Sequence, residues 1–352
     1  MGMPEIVFLF EQKARTLVKR SARGVVAMIL EDATEGGAEI ARIDAGDEVT
    51  GYTEANAKLI QIAFDSGATS VLAVRHTEDT LAETLAKLVN QRFNWLVFPD
   101  GTAEDVTAIV TWIEAQRGKG KFFKAVVSAT TAPDSEGIVN FQGGNIKSSL
   151  FGDSTVTAPG KYCVRIAGIL AGLSLEQSAT YYVLDDIVSA DESADPDGDV
   201  DDGKLIVVYD GEKYKLGRAV TSLTTLTDTS PVFQKIKHVE SVDMMRQDMK
   251  DVFEDEYVGK IPNSYDNKQI LVAYRNQYMD GLRGSVLNPD YENLCEIDAV
   301  AQKEYLEGIG VDTSEMEEID ILKANTDSSV FLTENIQLLD AMEDLTLKTV
   351  LN

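Results

Sequence analysis

The residues best equipped for chemistry in this chain are acidic. From Asp195 to Gly203 it reads Asp-Pro-Asp-Gly-Asp-Val-Asp-Asp-Gly, a carboxylate-rich run that invites a calcium reading. The calcium loop of an EF-hand needs glycine at its sixth position and glutamate at its twelfth. Counted from Asp197 those positions hold Asp202 and Val208; counted from Asp195 they hold Val200 and Ile206. Neither register fits, so the stretch reads as a solvated surface loop. The chain has two histidines, His76 and His238. His76 closes an apolar run, where an α/β enzyme can place a catalytic group at a strand end. No Gly-x-Ser-x-Gly elbow supplies a nucleophile, and no Gly-x-Gly-x-x-Gly or Walker loop follows the first strand; Gly36-Gly37 and Gly143-Gly144 are isolated pairs. His238 stands beside Lys235 and Lys237 and reads as a packed or exposed side chain rather than a base. Of the two cysteines, Cys163 lies in an apolar helical stretch and reads as core, and neither joins a cluster with metal-ligand spacing. The expectation is a chain with no catalytic, cofactor-binding or metal-binding residues.

The charge balance narrows the partners. A formal net charge of −27 argues against nucleic-acid binding, which needs clustered lysine and arginine to neutralise phosphates. The one basic cluster, Lys13, Arg15, Lys19, Arg20 and Arg23, reads as a solvated linker. No signal-peptide pattern opens the chain, no myristoylation signal fits with Ile6 where Ser or Thr is required, and no apolar run approaches the ~18 residues of a membrane span. The chain is therefore expected in the cytosol where it is made, without membrane contact.

Residues 24 to 130 alternate strand and helix. Gly24–Leu30, Ser70–Val74, Trp95–Phe98 and Phe123–Ser128 read as strands. Helices fall between them: one capped by Thr53, one from Thr77 to Gln91, and one capped by Thr102 with Asp105 three residues on. That alternation predicts a parallel sheet with helices on its faces. Ile138–Phe141 continues as a strand, Gly160–Ala171 as a helix, and Leu205–Tyr209 with Tyr214–Ala219 as a hairpin about Asp210-Gly211. From Pro231 the chain turns helical, with Ile236, Val239, Val242, Met245, Met249, Val252 and Phe253 on one stripe. Further helices are expected over Tyr265–Leu282, from Asp298, and from a Ser314/Glu317 capping box. The long helix carries Lys235, Lys237, Asp248 and Asp251, which read either as a solvated face or as a docking face for a charged partner.

The two ends carry the sharpest pattern. Val330–Asn352 reads as two alternating apolar/polar runs joined by a short acidic turn, with Leu345, Leu347, Thr349 and Leu351 along one face of the second. Ile6, Phe8 and Phe10 alternate likewise near the start. Apolar edge strands need a partner. Taken alone, these residues allow both ends to pair within their own chain or to complete the sheets of neighbours.

A set of segments then carries a resemblance. They are SARGVVAMIL at Ser21–Leu30, SGATSVLAVR at Ser66–Arg75, RIAGILAGLSLEQSATY at Arg165–Tyr181, AVTSLTTLT at Ala219–Thr227 and FQKIKHVESVDMM from Phe233. YVGKIPNSYDNK at Tyr257–Lys268, EIDAVAQKEYLEGIGVD at Glu296–Asp312, ANTDSSVFL and LLDAMEDL follow. In this order and spacing the chain resembles the contractile tail sheath proteins of bacteriophages and phage-tail-like bacteriocins, most of all the short sheaths of Gram-positive phages.

The resemblance implies an α/β fold overall. An N-terminal arm would span 1–20, a subtilisin-like α/β domain without a catalytic triad 21–228, a helical and β sheath core domain 229–340, and a C-terminal arm 341–352. It implies strand exchange between subunits through Ile6, Phe8, Phe10, Leu345, Leu347 and Leu351; from their position between core and strand, Glu11–Ser21 and Asp340–Asp344 would be the hinges. Lys235, Lys237, Asp248 and Asp251 become candidate contacts to a tail tube. The implied partners are further copies in stacked six-fold rings, the tail tube protein, and baseplate and terminator proteins, with assembly in the bacterial cytoplasm and a final place in a virion tail or released particle. Two rival readings remain: an α/β enzyme or ligand-binding protein with an unrecognised site, and the sheath of an effector-injecting secretion system.

Overall fold

The computed structural model describes residues 23–35, 37–77, 79–152, 155–226 and 230–350. These form two compact units, one of residues 23–243 with 341–350 and one of residues 244–340.

The first unit is built on an eight-stranded sheet. In chain order its elements are β1 (Val25–Glu31), β2 (Ile40–Asp44), α1 (Glu54–Asp65), β3 (Ser70–His76), α2 (Leu81–Leu88), β4 (Trp95–Val97), α3 (Ala103–Arg117) and β5 (Lys124–Val127). There follow β6 (Ile138–Gln142), β7 (Gly144–Ser148), α4 (Pro159–Gly172), β8 (Ile187–Asp191), α5 (Pro196–Asp201), β9 (Lys204–Tyr209), β10 (Tyr214–Leu216) and the start of α6 (Ile236–Val252). The sheet order is β10-β9-β6-β5-β4-β1-β3-β2. The inner pairings are parallel, and only the outer strands β2 and β10 run antiparallel to their neighbours.

Strand periodicity explains the layers. Along β1, Val26, Met28 and Leu30 face a core closed by Leu59, Ile60 and Ala63 of α1 and Tyr162, Ile166 and Ile169 of α4. Val25, Ala27 and Ile29 face the opposite core, closed by Leu85 and Leu88 of α2 and Ile109 and Ile113 of α3. A strand buried on both faces reads as a continuous apolar run, which is why VVAMIL was legible. Helix starts are set by caps: Thr80 with Glu83 and Thr102 with Asp105 each form a reciprocal capping box, and Thr53 caps α1. Helix α2 therefore begins at Leu81 rather than at Thr77. At Gly168 of α4 a Cβ would stand 2.7 Å from the Ala63 carbonyl oxygen, so glycine is what lets α4 lie close on α1.

The division between the two compact units falls inside α6, at Asp243–Met244. The stretch before it is tied to the α/β unit by a Val220–Lys235 bridge, by the Ile236 N–H on the Ala219 carbonyl, and by Asp243 on Arg117. The second unit holds the rest of α6, a single π turn (Phe253–Tyr257), α7 (Tyr265–Asp280), β11 (Leu294–Ile297), α8 (Ala299–Gly308), α9 (Glu318–Lys323) and β12 (Leu332–Asn335). β11 and β12 pair antiparallel as a two-stranded sheet. Helix α9 is not opened by the expected Ser314 box. Ser314 bonds Asp312 instead, and Glu317 precedes the helix without a side-chain cap.

Candidate functional site

The chemical candidates resolve as structure. Asp195 caps the six-residue α5 by accepting from the Gly198 N–H, and Asp199 pairs with Lys204 at 2.7 Å. Among the described residues no group of three or more His, Cys, Asp or Glu side chains is placed to hold a metal. His76 lies with Nδ1 2.9 Å from the Thr84 hydroxyl and its ring edge-on to Phe98. His238 is buried, with Nδ1 3.2 Å from the Val232 carbonyl. Burial pushes the Cys295 thiol up to about 12 and raises that of Cys163 as well, so neither is poised as a nucleophile. At the C-terminal ends of β1 and β3, where a doubly wound enzyme keeps its site, Arg75 and Asp32 form a buried pair at 2.9 Å. Burial alone would raise the Asp32 pKa. Hydrogen bonds from Asn56, Thr34 and Thr53 outweigh it and hold the carboxyl well below the usual range. Arg75 also donates to the carbonyls of Ala38, Thr34 and Gly51, so this network locks a loop.

The charged helix is not the solvated face its composition implied. Lys237 and Asp248 are buried, and Asp248 accepts a 2.7 Å hydrogen bond from Tyr278. Lys235 and Asp251 are half-buried, Lys235 pairing with Glu343 at 3.7 Å and Asp251 accepting from Gln247. Earlier in the helix, Asp243 receives both guanidinium nitrogens of Arg117, at 2.7 and 3.1 Å, and the Lys124 ammonium at 3.2 Å. Glu240 joins Lys124 to Arg23.

The strand candidates divide. Ile6, Phe8, Phe10, the Glu11–Ser21 hinge and Leu351 lie outside the described residues. The first of the two final runs is a strand: β12 pairs with β11, and Leu338 bridges to Leu287. Among its described residues the second run forms no ladder, and Leu345, Leu347 and Val350 are 89%, 79% and 69% exposed. An alternating apolar segment left open in this way is a pairing template.

The root of that segment, expected as a free hinge over Asp340–Asp344, is instead bolted down. The Glu343 side chain is only 7% exposed. Its carboxylate accepts from the hydroxyls of Ser178 (2.8 Å) and Thr180 (2.6 Å) and lies 3.5 Å from Arg218, while Asp344 pairs with Arg218 at 2.6 Å. Sequence reasoning missed this contact. Its one visible sign was the Ser-x-Thr pair at 178–180, and nothing local linked it to a glutamate 163 residues on.

The two edges of the β11–β12 pair differ. The Asn276 side-chain amide donates to the Cys295 carbonyl and accepts from the Cys295 N–H, at 3.0 and 2.7 Å. The outward backbone groups of β11 are thereby satisfied as an adjoining strand would satisfy them. Residues of an antiparallel pair alternate in direction, so Glu334 and Leu332, opposite Cys295 and Ile297, direct their backbone groups to the far side of β12. Among the described residues no strand lies there, and Thr333, Glu334 and Asn335 are exposed.

Comparison with known proteins points one way. Residues 228–352 match the family model of the phage tail sheath C-terminal domain. The whole chain is similar to the tail sheath protein of Clostridium phage phiCD119, 34% identical over 360 aligned residues covering 99% of both. In fold it is similar to a sheath tail protein of Desulfitobacterium hafniense (TM-score 0.68, 15% identity, 91% of this chain and 98% of that one). It is also similar to the helical sheath of the anti-feeding prophage in its contracted state (TM-score 0.70, 14% identity, 95% of this chain and 94% of that one).

Proposed function

The chain belongs to the phage tail sheath proteins, and from that premise we propose that it works as a self-propagating mechanical lattice whose links are its own exchanged strands. It is a structural subunit of a contractile sheath, with its place in a virion tail or tail-like particle. The observation that carries the linkage is the pairing-ready segment 345–350, open in its own chain, together with the open outer edge of β12. A strand donated to an edge of another copy is a heterologous contact, and such contacts propagate into rings and open helices rather than closed dimers. A two-stranded sheet is marginal by itself. Receiving a strand on β12 is what would complete it, while Asn276 closes the opposite edge.

We read the α/β unit as a subtilisin-like scaffold without a triad. That reading is supported by its parallel sheet with helices on both faces and by two histidines engaged in packing. The rings would stack around a tail tube and end on baseplate and terminator proteins. On α6 a tube-facing role would fall to the half-buried Asp251 and to the exposed Glu254 and Asp255 that follow it, since Lys237 and Asp248 are packed inside. Contraction runs downhill from a kinetically trapped extended state, with strand links holding register while domains re-pack.

Deleting residues 345–352 tests the linkage. The expected product is a folded chain, judged by circular dichroism and Trp fluorescence, that forms no hollow cylinders by negative-stain microscopy under conditions where the full chain does. Normal cylinders from the truncation would refute the exchange.

A further inference from the structure

The contact at Glu343 has the marks of a built receptor. Its four partners come from separate places: Ser178 and Thr180 from the loop after α4, Arg218 from the loop after β10, and Lys235 from the turn before α6. The hydroxyls are preset. Thr180 Oγ1 accepts from the Ala219 N–H at 3.0 Å and Ser178 Oγ accepts from the Thr180 N–H at 3.2 Å, which fixes both oxygens beside the carboxylate, with Ser178 Oγ also 3.0 Å from Thr180 Oγ1. The next residue, Tyr181, holds φ at 57° although it bears a bulky side chain, a conformation such residues rarely adopt, and it is exposed. That backbone turn presents Thr180 to the glutamate. Charge-assisted hydrogen bonds of this kind are stronger than neutral ones, and they are placed where a swinging segment would otherwise begin.

We propose that Ser178, Thr180, Arg218 and Lys235 form a receptor for Glu343 that fixes the root of the 341–350 arm on its own α/β unit, so that the swinging segment starts beyond Asp344 and not at Asp340. This rests on the strand-exchange reading and adds a limit to it. With the root fixed, Leu347, four residues beyond Glu343, can reach at most about 14 Å from it fully extended. Only a neighbour whose acceptor edge lies within that radius of Glu343 can be engaged, and the fixed origin raises the effective concentration of the arm at that edge over that of a loose tether. The receptor thus chooses which neighbouring copy is linked.

A glutamate-specific endoprotease reads the latch directly, because cutting the Glu343–Asp344 bond requires the Glu343 side chain to leave its receptor and enter the protease. When opening is fast relative to cutting, the rate follows the open population. In the full chain this bond should be cut slowly. The Ser178→Ala/Thr180→Val double variant and, separately, Arg218→Gln should each speed it at least tenfold, and Thr180→Ser should keep it slow. Equal rates in the full chain and all variants would overturn the latch. The two failures are separable. Cylinders from the 345–352 deletion refute strand exchange whatever the cutting rates, whereas a deletion without cylinders beside unchanged cutting rates refutes the latch alone.

Discussion

Replacing Leu345 and Leu347 together by serine should leave the subunit intact and abolish its assembly at working concentrations. In a strand these two positions share a face. At 89% and 79% exposed, nearly all of their apolar surface remains available to be buried on a neighbour. Full burial of a leucine contributes about 1.5–3 kcal/mol, so the pair accounts for roughly 3–6 kcal/mol per link. At 1.4 kcal/mol per tenfold, that weakens each link by about 10²- to 10⁴-fold. The backbone bonds of the strand survive the change, so the effect is a rise in the critical concentration rather than a chemical block. The subunit's own stability should move by less than about 0.5 kcal/mol, because the leucines touch little of their own chain. A concentration series, pelleted and imaged by negative stain, measures the critical concentration, and urea unfolding measures the fold. A critical concentration within about threefold of the unsubstituted chain, with normal cylinders, would refute the assignment of these leucines to the link.

Two further outcomes follow from the buried charges. Asp243→Asn removes the carboxylate shared by Arg117 and Lys124 and leaves two buried cations short of a partner. The loss should be about 3–5 kcal/mol. It should be visible in the fluorescence of Trp95 and Trp112, which both report on the α/β unit, and a loss under about 1 kcal/mol would show the cluster to be dispensable. Asp134 is held at about 2 by the hydroxyl and N–H of Thr225 and the N–H of Thr224, and Asp32 is depressed as well. Both carboxyls have folded values below their unfolded ones. Their contribution is therefore complete above about pH 4 and is lost as pH falls toward 2. Thermal unfolding from pH 5 to 2 should show a shallower decline for Asp134→Asn than for the unsubstituted chain, and parallel curves would contradict the assignment.

How much could be read in advance differs element by element. β1, β3, β4 and β5 were legible as apolar runs, and α3 by its Thr102–Asp105 box, because burial on both faces and a local cap leave their mark in consecutive residues. β2, with Arg42 and Asp44 at the sheet margin, carries no such mark in its residues. β7, β8 and β11 are likewise short and become strands only through partners elsewhere in the chain. On α6 the predicted stripe residues Ile236, Val239, Met245 and Val252 are buried, and so are the charged Asp243 and Asp248. Asp243 bonds Arg117 from 126 residues away, and Asp248 bonds Tyr278 from 30, so charges that local spacing assigned to water are neutralised inside.

By itself the sequence determined a parallel α/β sheet followed by a helical part, the lack of any catalytic or phosphate-binding motif, and an alternating apolar segment at 345–351 in want of a partner. Periodicity and capping act within a few residues, so these properties are written locally. Tertiary structure alone decided that Glu343 meets Ser178, Thr180 and Arg218, that Asn276 closes one edge of the β11–β12 pair while no strand among the described residues covers the other, and that Lys237, Asp243 and Asp248 of α6 are buried. Each of these depends on polar groups brought together from distant positions. A charge or an amide shows which bonds it can make, but only the folded chain sets which partner stands within 3 Å to make them.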